Sequence, residues 1–216
     1  MSASLNLKEI EKRAFRSTYQ DGLWDIYYGL IVIFMAVFMD RPEEGYGWLN
    51  IVLMAGSFLI AFFLFRLGKK LITTPRLGQV VFGEVRKKKK RTMSIILGIF
   101  VGLQFLLLMI TAFGWLNPTF GRQLGSLLEG KNELLLVSTI GSMIVCVGMS
   151  VTAHFSDFPR GYYISILMSL AVFLILYFDQ PLFPAIIGVL IVLPGVLLLV
   201  RFLKQYPLAK DEVSHE

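Results

Sequence analysis

Apolar residues in this chain gather into six long runs, residues 24–39, 48–65, 93–115, 134–155, 162–178 and 182–203, separated by polar stretches. The hydrocarbon core of a bilayer is about 30 Å thick, so a helix crosses it with about 20 mostly apolar residues, or about 17 at the short end. Lipid offers no hydrogen bonds, and a spanning segment must satisfy its own backbone, as a helix does. Four runs meet the length comfortably, 162–178 sits at the limit, and 24–39 is short unless its flanks dip inward. The pattern predicts an all-α membrane protein, a bundle of six transmembrane helices.

The rest of the chain divides around that bundle. Residues 1–20 read as a cytoplasmic amphipathic segment: Ser4 is a candidate N-cap, and Leu7, Ile10 and Ala14 recur at helical spacing between charges. Such a helix suits the membrane interface. No apolar core and cleavage site of a secretory signal is present there. Residues 21–204 form the transmembrane domain and 205–216 a polar cytoplasmic tail. At 56% hydrophobic residues and a mean hydropathy of +0.68, the sequence leaves no room for a soluble catalytic domain. Its one cysteine, Cys146, excludes an intramolecular disulfide.

Charge sets the orientation. Of the 21 Lys and Arg residues, all but Arg41, Arg122 and Lys131 fall on the side of the termini when the chain crosses six times. Basic residues collect on the cytoplasmic side of membrane proteins, which puts both termini in the cytoplasm. The simplest location is the plasma (inner) membrane. The net charge of +6 then reports topology, and no nucleic-acid partner is needed to explain it. Arg86, Lys87, Lys88, Lys89, Lys90 and Arg91, directly before the third run, are expected to meet anionic lipid headgroups of the inner leaflet. The preceding residues 78–85 favour a short hairpin or an extended stretch.

Ionisable residues near lipid are costly and are the first places to look for chemistry. Asp21, Trp24, Asp25 and Tyr28 stand at the cytoplasmic entrance of the first run, His154, Asp157 and Arg160 at the exit of the fourth, and Arg76 beyond the second. Together they are expected to form a polar vestibule, with carboxylates and an imidazole for protons and arginines for an anion. The plainer use of the same residues is to stabilise helix dipoles and fasten helix ends. His154 with Asp157 gives two potential metal ligands, too few for a site, and no cofactor motif is present.

Along the fourth run, Ser138, Gly141, Ser142, Gly148 and Thr152 fall within an arc of about 120°, with Cys146 at its margin. Such a face packs helices closely or lines a narrow polar path. Gly98 and Gly102 form a GxxxG spacing in the third run, and Pro194 predicts a kink in the sixth. A Pro-Arg pair at 75–76 and another at 159–160 form a weak internal echo. No catalytic set emerges. The sequence points to a transporter or channel-like protein for a small or amphiphilic solute, or alternatively to a non-catalytic scaffold, sensor or accessory subunit. The second reading implies a protein partner or anionic lipid as the bound species, and a homo-oligomer is a separate candidate assembly that would suit a pore.

Overall fold

The computed structural model describes residues 19–39, 47–77, 84–117, 119 and 133–207, and these are helical with no strand among them. Six long helices follow the six apolar runs: α1 (Leu23–Met39), α2 (Gly47–Gly68), α3 (Glu84–Leu116), α4 (Glu133–Phe155), α5 (Arg160–Phe178) and α6 (Leu182–Gln205). Among the described residues, four apolar stretches are long enough to cross a membrane: Val52–Arg76, Leu134–Phe155, Arg160–Phe178 and Leu182–Gln205. They mark an integral membrane protein. The apolar part of α1, Leu23–Val37, is shorter, as its run length foretold. The amphipathic segment expected within residues 1–20 lies almost wholly outside the described residues, as does most of the 205–216 tail.

Two helices run further than the apolar pattern implies. α2 continues past residue 65 into a π-helical turn, Lys69–Thr73, and a last α-helical turn, Thr74–Leu77. Thr74 gives both its backbone N–H and its hydroxyl to the Lys69 carbonyl, the latter at 2.9 Å. Pro75, which brings no N–H, follows at once, so the hydrogen-bond ladder widens by one residue here. α3 starts at Glu84, which makes the basic run 86–91 helical. Residues 84 and 85 are therefore helical where a short hairpin or an extended stretch was expected, because consecutive Lys and Arg are good helix formers; residues 78–83 lie outside the described residues.

The chain forms two compact units. In unit 1, α1 packs along α6 and against α2; in unit 2, α4 packs along α5 and more lightly against α3. Each unit has an apolar core but also shows large apolar side chains on its surface and polar ones inside. Phe63, Ile99 and Leu197 are 68%, 69% and 71% exposed, while Asp21, Asp25, Thr73, Ser138, Ser142 and Ser165 are buried. Apolar surface of this extent needs an apolar solvent.

At two points the α1–α6 contact brings backbone against backbone. A Cβ on Gly22 would collide with the Gly195 carbonyl oxygen, and one on Gly29 would lie 2.8 Å from that of Gly188. Gly22 and Gly29 are seven apart, as are Gly188 and Gly195, so two antiparallel helices meet at two glycine crossings. By contrast, a methyl group placed on Gly98 or Gly102 would have no described residue of unit 2 within 4 Å, so the GxxxG spacing packs nothing inside that unit.

Candidate functional site

At one end of unit 1 the Asp21 carboxylate joins two helices. Asp21 is fully buried just before α1. Its Oδ1 accepts the Leu23 N–H at 3.2 Å, satisfying one of the donors that a helix start leaves open. Its Oδ2 accepts from Lys69 Nζ at 2.6 Å and from Thr73 Oγ1 at 2.5 Å, the two ends of the π-helical turn. Gly22 makes this geometry accessible: its φ of +75 lies in the left-handed region that a Cβ penalises. The carboxylate sits at the positive end of the α1 dipole, and the ammonium completes its neutralisation.

An aromatic wall stands beside this ion pair. Trp24 stacks with Tyr19 and with Tyr28 at centroid separations of 5.5 and 5.6 Å, and Phe65 lies 4.4 Å from it. The Lys69 ammonium rests 5.8 Å from the Phe65 ring, within cation–π range. Asp25 is buried in the first turn of α1. Arg76 is turned elsewhere in the unit: its Nε donates to the Tyr206 carbonyl and its Nη1 to the Ile72 carbonyl, both at 2.9 Å. This clasp ties the end of α2 to the end of α6.

The other predicted polar residues are in unit 2, where the α4–α5 corner collects them. α4 ends in a Schellman motif, with Asp157 N–H on the His154 carbonyl and Phe158 N–H on the Ala153 carbonyl. Asp157 holds the left-handed position, φ 49. Gly161 lets α5 start tightly against α4, since a Cβ there would come within 2.7 Å of both Ala153 Cβ and Phe158 Cδ1. From this corner Asp157 Oδ2 meets Lys89 Nζ of α3 at 3.1 Å. His154 Nδ1 lies 3.2 Å from the Tyr162 hydroxyl, and the Arg160 guanidinium covers the Phe158 ring at 5.5 Å.

The hydroxyls of the α4 face bond within α4, and the bonds that reach α4 from α5 come mainly from α5 serines. Ser138, Ser142 and Thr152 donate to carbonyls of their own helix. Ser165 of α5 donates to the Cys146 carbonyl at 2.8 Å and shares a 2.9 Å bond with Ser150, and Ser169 donates to the Ser142 carbonyl at 2.9 Å. Gly141 and Gly148 face Leu176 and Phe100.

Thus Asp21, Trp24, Asp25, Tyr28 and Arg76 share one end of unit 1, and His154, Asp157 and Arg160 one corner of unit 2. The Pro-Arg echo does not carry equivalent structure: Pro75 lies in the last turn after α2, whereas Pro159 is the N-cap of α5. Sequence reading missed Lys69, Thr73, Ser165 and the glycine crossings. The paired seven-residue glycine spacings were the available signal. No family model, curated protein or solved structure matches this chain.

Proposed function

We propose that the chain is an integral membrane protein of six spanning helices with both termini in the cytoplasm, acting as a non-catalytic scaffold or accessory subunit at the anionic inner leaflet. The observation that carries this reading is the sorting of charge within each unit taken separately. Every described Lys and Arg of unit 1 lies toward the end where α1 begins and α2 and α6 finish: Arg66, Lys69, Lys70, Arg76, Arg201 and Lys204. Those of unit 2, residues 86–91 and Arg160, lie where α3 and α5 begin and α4 finishes. Such sorting is what the positive-inside rule demands of cytoplasmic ends. The scaffold role is supported by the use of interior polar groups. Asp21 is engaged by Lys69 and Thr73, and the hydroxyls of Ser165 and Ser169 are engaged between α4 and α5. These are fastening contacts.

The test has two arms. A Lys88→Cys variant in a Cys146→Ser background should resist membrane-impermeant maleimide in intact cells and react after permeabilisation. Reconstituted protein should give no solute flux. A second reading, a transporter or channel-like protein for a small or amphiphilic solute, is favoured by the complete burial of Asp21 beside Lys69, because ionisable groups inside such folds commonly belong to solute or ion pathways. Protein-dependent flux abolished by Asp25→Asn or His154→Ala would establish that reading instead.

A further inference from the structure

The basic run of α3 is helical, so its side chains fan out about 100° apart and cannot form one face. Lys87, Lys88, Lys90 and Arg91 are exposed. Lys89 differs: it is half-buried and paired with Asp157 of the α4–α5 corner. Immediately beyond, the apolar part of α3 opens at Met93, whose sulfur accepts the Ser156 hydroxyl at 3.9 Å from the same corner. The run is therefore a collar at the boundary between the polar and apolar parts of α3, its height and rotation set by the corner. Asp157 occupies a left-handed position in which glycine is the usual residue, so its carboxylate is held against Lys89 despite a backbone penalty.

Resting on the cytoplasmic orientation proposed above, we propose that the collar binds anionic phospholipid through Lys88 and Arg91, and that Asp157 is a built-in competitor that withholds Lys89 from the lipid. Lys88 and Arg91 are three residues apart and adjacent on the helix surface. The guanidinium can take a phosphate in a two-pronged hydrogen bond while the ammonium adds a point charge. Asp157 offers Lys89 the same chemistry as a lipid phosphate, an anionic oxygen, from inside the protein. The number of collar cations open to lipid is set by whether that carboxylate keeps its hold.

The test uses the full-length protein in phosphatidylcholine vesicles carrying spin-labelled phosphatidylglycerol or phosphatidylcholine, and reads the relative association of the two lipids. The wild type should prefer phosphatidylglycerol. Lys88→Gln and Arg91→Gln should each reduce that preference by about fivefold, the effect of one basic residue near an anionic surface. Asp157→Asn should raise it, by up to about fivefold as Lys89 is released. Asp157→Gly, which keeps the left-handed turn without the carboxylate, should do the same and guards against a folding artefact. The double variant Lys89→Gln/Asp157→Asn should return to the wild-type value. Asp179→Asn, at the far end of unit 2, should change nothing. The inference is overturned if phosphatidylglycerol is not preferred, if neither Asp157 variant raises the preference, or if Asp179→Asn raises it equally. Labelling at position 88 separates the failures: cytoplasmic labelling with no lipid preference removes this inference alone, whereas labelling from outside removes the orientation beneath it.

Discussion

In unit 1, α1 and α6 meet backbone to backbone at Gly22–Gly195 and Gly29–Gly188, whereas in unit 2, α4 and α5 meet through the hydroxyls of Ser150, Ser165 and Ser169. Both solve one problem. Lipid tails are as apolar as leucine, so no hydrophobic force draws two spanning helices together, and close packing and hydrogen bonds must do so. The two solutions differ in how they fail. A glycine crossing is steric and has no intermediate state, because a methyl group driven into a carbonyl oxygen cannot be accommodated without moving a helix. A hydroxyl ladder is graded, since each bond inside a membrane protein averages about 0.6 kcal/mol.

The largest loss of stability is expected at Gly22. Gly22→Val combines overpacking, about 1–3 kcal/mol, with a left-handed conformation that costs a side chain about 1–2 kcal/mol. A loss of about 4 kcal/mol is expected from these two terms, and it should appear as failure to recover folded protein. Denaturant unfolding in detergent, with Gly195→Val as the reciprocal change, measures it. A variant of wild-type stability would show that the crossing is not a rigid contact.

Next in size is the ion pair that docks α2. Asp21→Leu removes from Lys69 the carboxylate it meets at 2.6 Å. Breaking a buried pair costs about 3–5 kcal/mol, and because the Lys69 side chain is 22% exposed and can reach toward water, the lower end is expected. Asp21→Leu/Lys69→Met should recover most of the loss, since replacing a whole buried pair by apolar groups is close to neutral. If the double variant were no more stable than Asp21→Leu, the pair would not be what fastens α2 to α1.

The helices were legible in sequence because apolar run length is a local property that lipid enforces at every residue. Their ends were less so: apolarity stops near Phe65 and starts at Met93, yet the hydrogen-bond ladder continues to Leu77 and back to Glu84, carried by Lys, Arg and Thr side chains whose polarity says nothing against helix. Asp21 and Asp157 were visible as charges out of place, but their partners were not. Lys69 lies 48 residues from Asp21, and nothing in the spacing selects it over Arg66 or Arg76. The pairing of α1 with α6, the first helix with the last, is likewise a three-dimensional fact. Only the matched glycine spacings hint at it. The GxxxG of α3 is the reverse case, a familiar spacing at which an added methyl group would meet no described residue of its unit.

A smaller effect tests the graded side of the comparison. Ser165→Ala removes a donor to the Cys146 carbonyl and the bond with Ser150. The expected loss is about 1 kcal/mol, two bonds of ordinary membrane strength. Ser169→Ala, which removes one bond, should cost about half as much, and the two should add because each bond has its own acceptor. A loss near that of Gly22→Val would mean that the ladder is as cooperative as the glycine crossing and that the distinction between the units fails.

The smallest expected change has the opposite sign. Gly98 sits within α3 with no described residue of unit 2 near the place a methyl group would take. Glycine inside a helix is less stable than alanine by about 0.5–1 kcal/mol, through the extra freedom it loses on folding. With nothing to collide with, Gly98→Ala should stabilise unit 2 by about 0.5 kcal/mol or leave it unchanged. The same holds for Gly102. Stabilisation at these two positions, set beside collapse at Gly22, would show that a glycine in a spanning helix carries structure only where another backbone is pressed against it. Destabilisation of more than about 1 kcal/mol by alanine, the range of an overpacked contact, would instead show that the open face of α3 is occupied in the folded protein.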